Sequence, residues 1–346
     1  MPYRIVRSIL FALSQDDAEK AHTLTIQAAK IIQTQPFLLK LVAWWFEANK
    51  NPRPATVAGI TFPNRMGLAA GFDKEAEIVL LLQALGFGFV EVGTVLPAVQ
   101  QGNERPRLFR IPQEQAIINR MGFNSRGVHH VLSNLQQQQR RLTIPVGVSL
   151  GKMKQTLNEN AVQDYIFVWT CLRRYAAYAA ANISSPNTPG LRELQGSKYI
   201  ERFVRELVEA ERGFASQSGE QQKPMLIKLA PDLTESELRE TIGACEGAGA
   251  SGFIIGNTTL SRPLKEPHSP VAKEAGGLSG NPLYPLTLAK FKVARKVTKL
   301  PIIFVGGLNS KKRFEEVFKE GADLVQIYTG LIYQGPALVS AARSAA

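Results

Sequence analysis

Eight short apolar runs recur along the chain, at Met66–Ala70, Phe89–Thr94, Val146–Leu150, Ala177–Ile183, Met225–Leu229, Gly252–Gly256, Ile302–Val305 and Leu324–Tyr328. Stretches with helical period separate most of them, at Ala76–Leu85, Val128–Arg140, Val162–Tyr175, Tyr199–Glu211, Glu235–Glu246 and Lys311–Lys319. Strands that alternate with helices build a parallel sheet, and eight strands close one into a barrel. The alternative is an open doubly wound sheet, but no Gly-x-Gly-x-x-Gly follows the first strand. The spacing therefore predicts an α/β fold, a (β/α)8 TIM barrel over residues 54–346, with a small N-terminal helical extension over residues 1–53.

The 346 residues are 45% apolar, enough for a large core. Cys171 and Cys245 cannot form a disulfide framework and lie in no Cys-x-x-Cys pair, which implies a reducing compartment and no structural zinc. The four histidines show no metal-ligand spacing, so no metal is expected. Lys plus Arg exceed Asp plus Glu by 41 − 29 = 12, which points to an anionic partner. The small basic clusters Arg140-Arg141, Arg173-Arg174 and Lys311-Lys312-Arg313 lack aromatic interleaving, so nucleic acid is not expected. A solvated basic surface or attraction to an anionic membrane remains.

The first fifty residues fit two descriptions. Arg4 and Arg7 before Ile9–Leu13 faintly resemble a signal peptide, but no small-residue cleavage site follows. Ser14-Gln-Asp-Asp17 reads instead as a helix cap. Residues Asp16 to Thr34 carry a helical pattern, and Phe37, Leu38, Leu41, Val42, Trp45 and Phe46 fall at helical spacings. The apolar run Pro36–Phe46 is interrupted by Lys40 and far below the roughly 20 residues of a spanning helix. Two amphipathic helices exposing Trp44 or Trp45 would suit a monotopic membrane anchor. A helical hairpin packed on the main domain explains the same pattern.

Chemistry in such a barrel belongs at the C-terminal strand ends. Polar and glycine-rich groups collect there: Gly71 to Lys74, Glu91 to Thr94, Gly151-Lys152, Asn182 to Gly190, Lys228, Asn257 to Thr259, Gly306-Gly307 and Tyr328 to Gly330. Asn119, Asn182, Asn187 and Asn257 each offer a donor beside an acceptor, which matches an imide edge. Lys74 suits a carboxylate. Gly306-Gly307 and Tyr328-Thr329-Gly330 can bring backbone N–H groups to a phosphate, and Gly276–Gly280 could form another close-approach loop. A phosphorylated cofactor such as flavin mononucleotide or pyridoxal phosphate fits, and Lys228 is compatible with either.

Taken together, Ala69–Lys74, Asn119–Asn124, Asn182–Leu191, Gly276–Gly280 and Val325–Tyr328 resemble the dihydroorotate dehydrogenase family. The N-terminal helices and Arg105–Arg110 resemble its class 2, quinone-linked, membrane-associated branch. The resemblance runs over nearly the whole chain and implies an FMN barrel that oxidises dihydroorotate to orotate in pyrimidine synthesis. It implies that Ser185 is the base removing a proton from substrate C5 while hydride leaves C6 for flavin N5, with Thr188 and Phe123 shaping the proton relay. A serine is a poor base and needs a closed, preorganised site. Class 1 relatives use cysteine at this step, and neither cysteine of this chain is placed for it.

The same resemblance assigns substrate contacts to Lys74, Asn119, Arg120, Met121, Gly122, Phe123, Asn182, Asn187, Asn257 and Thr258. It assigns cofactor contacts to Ala70, Gly71, Lys74, Thr94, Ser149, Asn182, Lys228, Gly256, Gly280, Gly307, Tyr328 and Thr329. His22, Arg107 and Tyr328 resemble the surroundings of a quinone tunnel, Arg107 as donor to a quinone carbonyl. The partners implied are dihydroorotate and orotate, a membrane quinone and an anionic membrane surface. The chain would act as a monomer, peripherally on the cytoplasmic side of an inner membrane.

Four departures from the family pattern stand out. Ser149 and Met153 replace asparagines, Gly256 replaces a threonine and Ala76 a glycine; Pro97–Gln100 also differs from the common basic version. Each lost flavin hydrogen bond would cost about 0.5–1.5 kcal/mol. Two further readings follow: a related FMN barrel with another substrate or acceptor, and a flavin-poor, non-catalytic relative.

Overall fold

In the computed structural model all eight apolar runs become strands, and residues 2–14, 17–47, 53–188, 190–266 and 270–345 are described. The strands are β1 (Met66–Leu68), β2 (Phe89–Val95), β3 (Val146–Leu150), β4 (Tyr178–Asn182), β5 (Met225–Leu229), β6 (Gly252–Ile255), β7 (Ile302–Val305) and β8 (Leu324–Ile327). Every neighbouring pair is parallel, and β8 pairs with β1 to close the barrel. All eight are buried at every position, because helices cover the outside and side chains fill the inside. That is why the sequence shows continuous apolar runs rather than alternation.

The base of the barrel is plugged from below. A hairpin, Ala55–Val57 with Ile60–Phe62, turns through Ala58 and Gly59, both at positive φ. It pushes Phe62 into the lower core, with ring centroids 5.2 Å from Phe89. The sequence reading did not include this hairpin, whose strands are only three residues each.

Helices fill the strand intervals as expected, with shifted ends. The expected helix at 199–211 runs Ser197–Ser218, and Val79–Ala84 is shorter than expected. Tyr284–Val297, before β7, was not anticipated. One expectation is corrected. Gly277–Gly280 is not a free loop but a strand pairing Ala116–Asn119, which also pairs Leu108–Ile111. This small antiparallel sheet stands at the C-terminal mouth and holds Asn119 at the end of its central strand.

The N-terminal region forms three helices rather than two: α1 (Pro2–Leu13), α2 (Ala18–Thr34) and α3 (Pro36–Glu47). Asp17 caps α2 as the sequence suggested, its carboxylate accepting from the N–H groups of Glu19 and Lys20 at 2.8 and 3.0 Å. The signal-like stretch is α1, docked by Tyr3 and Arg7 on the carbonyls of Ile332 and Tyr333 at 2.7 and 2.6 Å. Helix α2 buries Ala18, Ala21 and Ala29, small residues that allow close approach, together with Ile26. Gln33 fastens it by accepting from Leu81 N–H and donating to the Glu77 carbonyl. So the hairpin packs on the barrel, while Ile31, Phe37, Leu41, Trp44 and Trp45 stay exposed. The packed-hairpin description holds for one face, and the other face is apolar and left uncovered.

Candidate active site

One deep cavity opens at the C-terminal end of the barrel and receives side chains from strand ends, from the small sheet and from α2. Most of the expected residues meet there. On one side stand Asn119, Asn182, Asn187 and Asn257, with Thr258 beside them. Asn187 donates to the Asn119 carbonyl oxygen at 3.1 Å, Asn257 to the Ser184 hydroxyl at 2.8 Å and Asn182 to the Thr94 hydroxyl at 2.9 Å. These bonds fix each amide and leave other donor and acceptor positions for a ligand.

Ser185 also lines the cavity and is 7% exposed. Its Oγ accepts from Asn187 N–H at 3.3 Å, which orients it and leaves its proton free to be donated. Thr188 lies just outside the cavity lining, yet its hydroxyl and that of Thr258 are buried with no hydrogen-bond partner in the structure. Buried orphan hydroxyls are costly unless a ligand or water completes them, so this wall is built to receive polar groups. Phe123 lines the cavity at φ 52, a region costly for a residue with a side chain. Gln100 holds that turn by donating to the carbonyls of Gly122 and Phe123 at 3.1 and 3.0 Å.

Ala70, Gly71, Thr94, Gly280, Gly307, Tyr328 and Thr329 also line the cavity, with Lys228 at its floor. Tyr328 donates to the Gly71 carbonyl at 3.3 Å, and the Ser279 and Thr329 hydroxyls pair at 2.8 Å. Lys74 lines the cavity and donates to Asn124 at 2.7 Å. Burial lowers its pKa to about 8, the nearby Arg107 adds to this, and Glu19 and Glu75 oppose it. Below that pH it presents a positive charge.

Three expected contacts are not brought to the cavity. Arg120 points away, donating to Glu274 at 2.6 Å and lying over the Phe109 ring. Ser149 sits one layer below, fully buried, its hydroxyl 3.0 Å from that of Thr94. Gly256 is also outside the lining, and its φ of +117 explains the residue type. A Cβ there would fall 1.8 Å from the Val305 carbonyl oxygen, so this backbone admits no threonine. The backbone at this position itself requires glycine, so the departure is more than the loss of a hydroxyl. Ala76 keeps the left-handed conformation that suits glycine, at φ 55. Met153 packs as a buried core residue.

Helix α2 supplies the roof. His22 lines the cavity, its ring 5.3 Å from Phe72, which in turn lies 5.7 Å from Tyr328. Burial first, and then Lys74, lower its pKa to about 4, so it is neutral at pH 7. Arg107 is 6% exposed and does not line the cavity. Four of its five donors are engaged, two with Glu19 at 3.0 and 2.7 Å and two with the carbonyls of Gln101 and Asn103. It is thus turned toward Glu19, and Glu19 and His22 are the α2 groups that face the cavity.

The sequence reading gave no role to Glu19, Glu91, Asn124, Ser184 or Gln326. Glu91 and Gln326 were detectable as polar residues inside otherwise apolar strand runs.

Comparison with known proteins shows what the chain as a whole is similar to. The dihydroorotate dehydrogenase family profile matches residues 54–344. The dihydroorotate dehydrogenase (quinone) of Chloroflexus aurantiacus is 44% identical over 338 residues, covering 96% of this chain and 92% of that protein. That of Xanthomonas oryzae is 41% identical, covering 97% and 93%; that of Marinobacter nauticus is 41% identical, covering 98% and 97%. A crystal structure of DHODH in complex with ferulenol from Eimeria tenella superimposes with a TM-score of 0.80 at 33% identity, covering 90% of each chain. A barrel of this topology, with this cavity and these relatives along its whole length, belongs to the dihydroorotate dehydrogenase family.

Proposed function

We propose that the chain oxidises dihydroorotate to orotate, with FMN as the resident cofactor and a membrane quinone as the final acceptor. The observation that carries this reading is the cavity itself. It is walled by two sets of groups, four asparagines with Ser185 and a glycine-rich set with Lys228 at its floor. The first wall matches the imide-rich ring of the substrate and Lys74 its carboxylate. The second matches a planar cofactor whose phosphate lies along Gly307 and Thr329. When bound, FMN takes the hydride lost from substrate C6 and passes the electrons to the acceptor.

Ser185 accepts the C5 proton, and the unpartnered Thr188 hydroxyl beside it extends the route outward. Phe123 covers this wall and excludes water. Tyr328 stands between the cofactor wall and Phe72, so the acceptor would approach from the α2 side, near His22. Arg107 sits behind Glu19 and holds that carboxylate in place on the acceptor side of the cavity. The exposed apolar side of α3 supports a peripheral seat on a membrane, and no described helix is long and apolar enough to cross one. The excess of 12 positive charges favours the anionic cytoplasmic leaflet of an inner membrane. We take the single chain as the working unit.

The test is anaerobic addition of dihydroorotate to FMN-loaded protein while the visible flavin absorbance is followed. Bleaching is expected, with recovery on adding a ubiquinone analogue but not fumarate or NAD. Bound flavin that stays oxidised would overturn the substrate, and recovery with a soluble acceptor would overturn the quinone.

A further inference from the structure

Glu91 lies in β2 with no exposed surface, in a strand buried at all seven positions. A carboxylate there costs several kcal/mol unless donors surround it. Three other strands supply them. Lys228 of β5 lies 3.3 Å from Oε1, while Gln326 of β8 and Tyr178 of β4 donate to Oε2 at 2.9 and 3.2 Å. The site is prepared at the level of the backbone: a Cβ at Gly147 would fall 2.1 Å from the Tyr178 ring, so only glycine in β3 lets that ring lie where it does.

The division of labour at the carboxylate is informative. Two neutral donors occupy Oε2 and set the plane of the group, which aims Oε1 at the lysine. Lys228 lines the cavity, whereas Glu91 and Tyr178 do not. An ammonium has three N–H donors, and Glu91 engages one. The others remain for whatever lies on the floor.

We propose that Glu91 is a positioning residue for the cofactor: it holds Lys228 as a cation at the cavity floor, so that positive charge is fixed where negative charge gathers on the reduced ring. The inference rests on the reading that this cavity takes FMN. It assigns Glu91 no contact with the ligand; it acts through Lys228 alone, with Tyr178 and Gln326 setting its orientation. Without the carboxylate, a buried ammonium either gives up its proton or swings toward water, and both outcomes remove charge from the floor.

The test compares Glu91→Gln with wild type, Lys228→Met and the double variant. The readout is the midpoint potential of the bound flavin, which reports the ratio of reduced to oxidised FMN affinity. Glu91→Gln should lower that ratio roughly ten- to hundredfold, or about 30–60 mV at 30 mV per decade. The double variant should match Lys228→Met, because Glu91 has nothing to act through once the lysine is gone. Glu91→Asp, which keeps the charge, should recover most of the loss. An unchanged potential in Glu91→Gln, or an equal further drop in the Lys228→Met background, would overturn the proposal. If Glu91→Gln does not fold, Tyr178→Phe and Gln326→Leu loosen Oε2 and should shift the ratio in the same direction by a few-fold; no shift in either overturns it. Wild-type protein that binds no flavin would instead defeat the underlying reading.

Discussion

At the floor of the barrel, Glu91 is fully buried and has three donors from three different strands. On the far side of the cavity, Trp44 and Trp45 are 65% and 66% exposed in a helix with little to cover them. Of the 14 large hydrophobic residues that stand exposed among the described residues, nine lie in α1–α3. A folded domain places apolar groups inside and pairs the charges it buries, and the barrel, which holds the other five, follows this more closely. The helices obey it only on the face that carries Ala21, Ile26 and Gln33. The contrast teaches that the two regions are finished differently: the barrel encloses its apolar groups, while the helices leave an apolar face uncovered.

The sharpest way to break this contrast is to separate the regions. Removing residues 1–53 should abolish turnover with a quinone while dihydroorotate still bleaches the flavin. The truncated protein should also melt earlier, because Gln33 no longer satisfies Leu81 N–H and the Glu77 carbonyl. Quinone turnover that survived would show that the acceptor enters elsewhere.

Ser185→Ala tests the barrel side alone. It should slow flavin reduction by about 10²–10⁴-fold, the usual worth of a positioned base. FMN should stay bound and the quinone step should be unaffected. Rapid-mixing measurement of each half-reaction checks this, and an unchanged first half would remove Ser185 from the mechanism.

Lys74 joins the two regions, since it faces the cavity and feels both Arg107 and Glu19. With its pKa lowered to about 8, it is cationic below that pH and neutral above it. KM for an anionic substrate should therefore rise about tenfold per unit above pH 8, nearing a hundredfold by pH 10. Lys74→Met should flatten the profile at its high-KM end. A profile that kept its slope in the variant would place the titration elsewhere.

How far the sequence carried this picture depended on where each residue's partners lie. The eight strands were legible because burial on both faces writes a continuous apolar run that needs no knowledge of neighbours. The Asp17 cap was legible for the same reason, its partners being two and three residues away. The hairpin at 55–62 and the strand at Gly277–Gly280 were not, since short strands draw stability from pairing rather than from pattern. Resemblance brought Ser185, the asparagines and Lys228 to one site, but not Arg107, whose engagement by Glu19 joins residues 88 apart in sequence. Gly256 shows the limit most plainly. Read as a missing threonine it looks like a lost hydrogen bond, yet its φ and the Val305 carbonyl reveal a backbone that requires glycine.

The smallest effect we expect belongs to the helices. Trp44→Ser with Trp45→Ser removes two rings that contribute little to the core, so the melting temperature should hardly move. If those rings enter a headgroup region, each contributes about 1 kcal/mol of partial burial. Binding to vesicles containing anionic lipid should then weaken roughly ten- to thirtyfold. The same substitutions should leave turnover with a short-chain, water-soluble quinone near wild type. Vesicle binding that did not change would mean that the exposed side of α3 meets something other than lipid. A drop in melting temperature would mean that the rings serve the barrel after all, and the two regions would then differ less than their exposure implies.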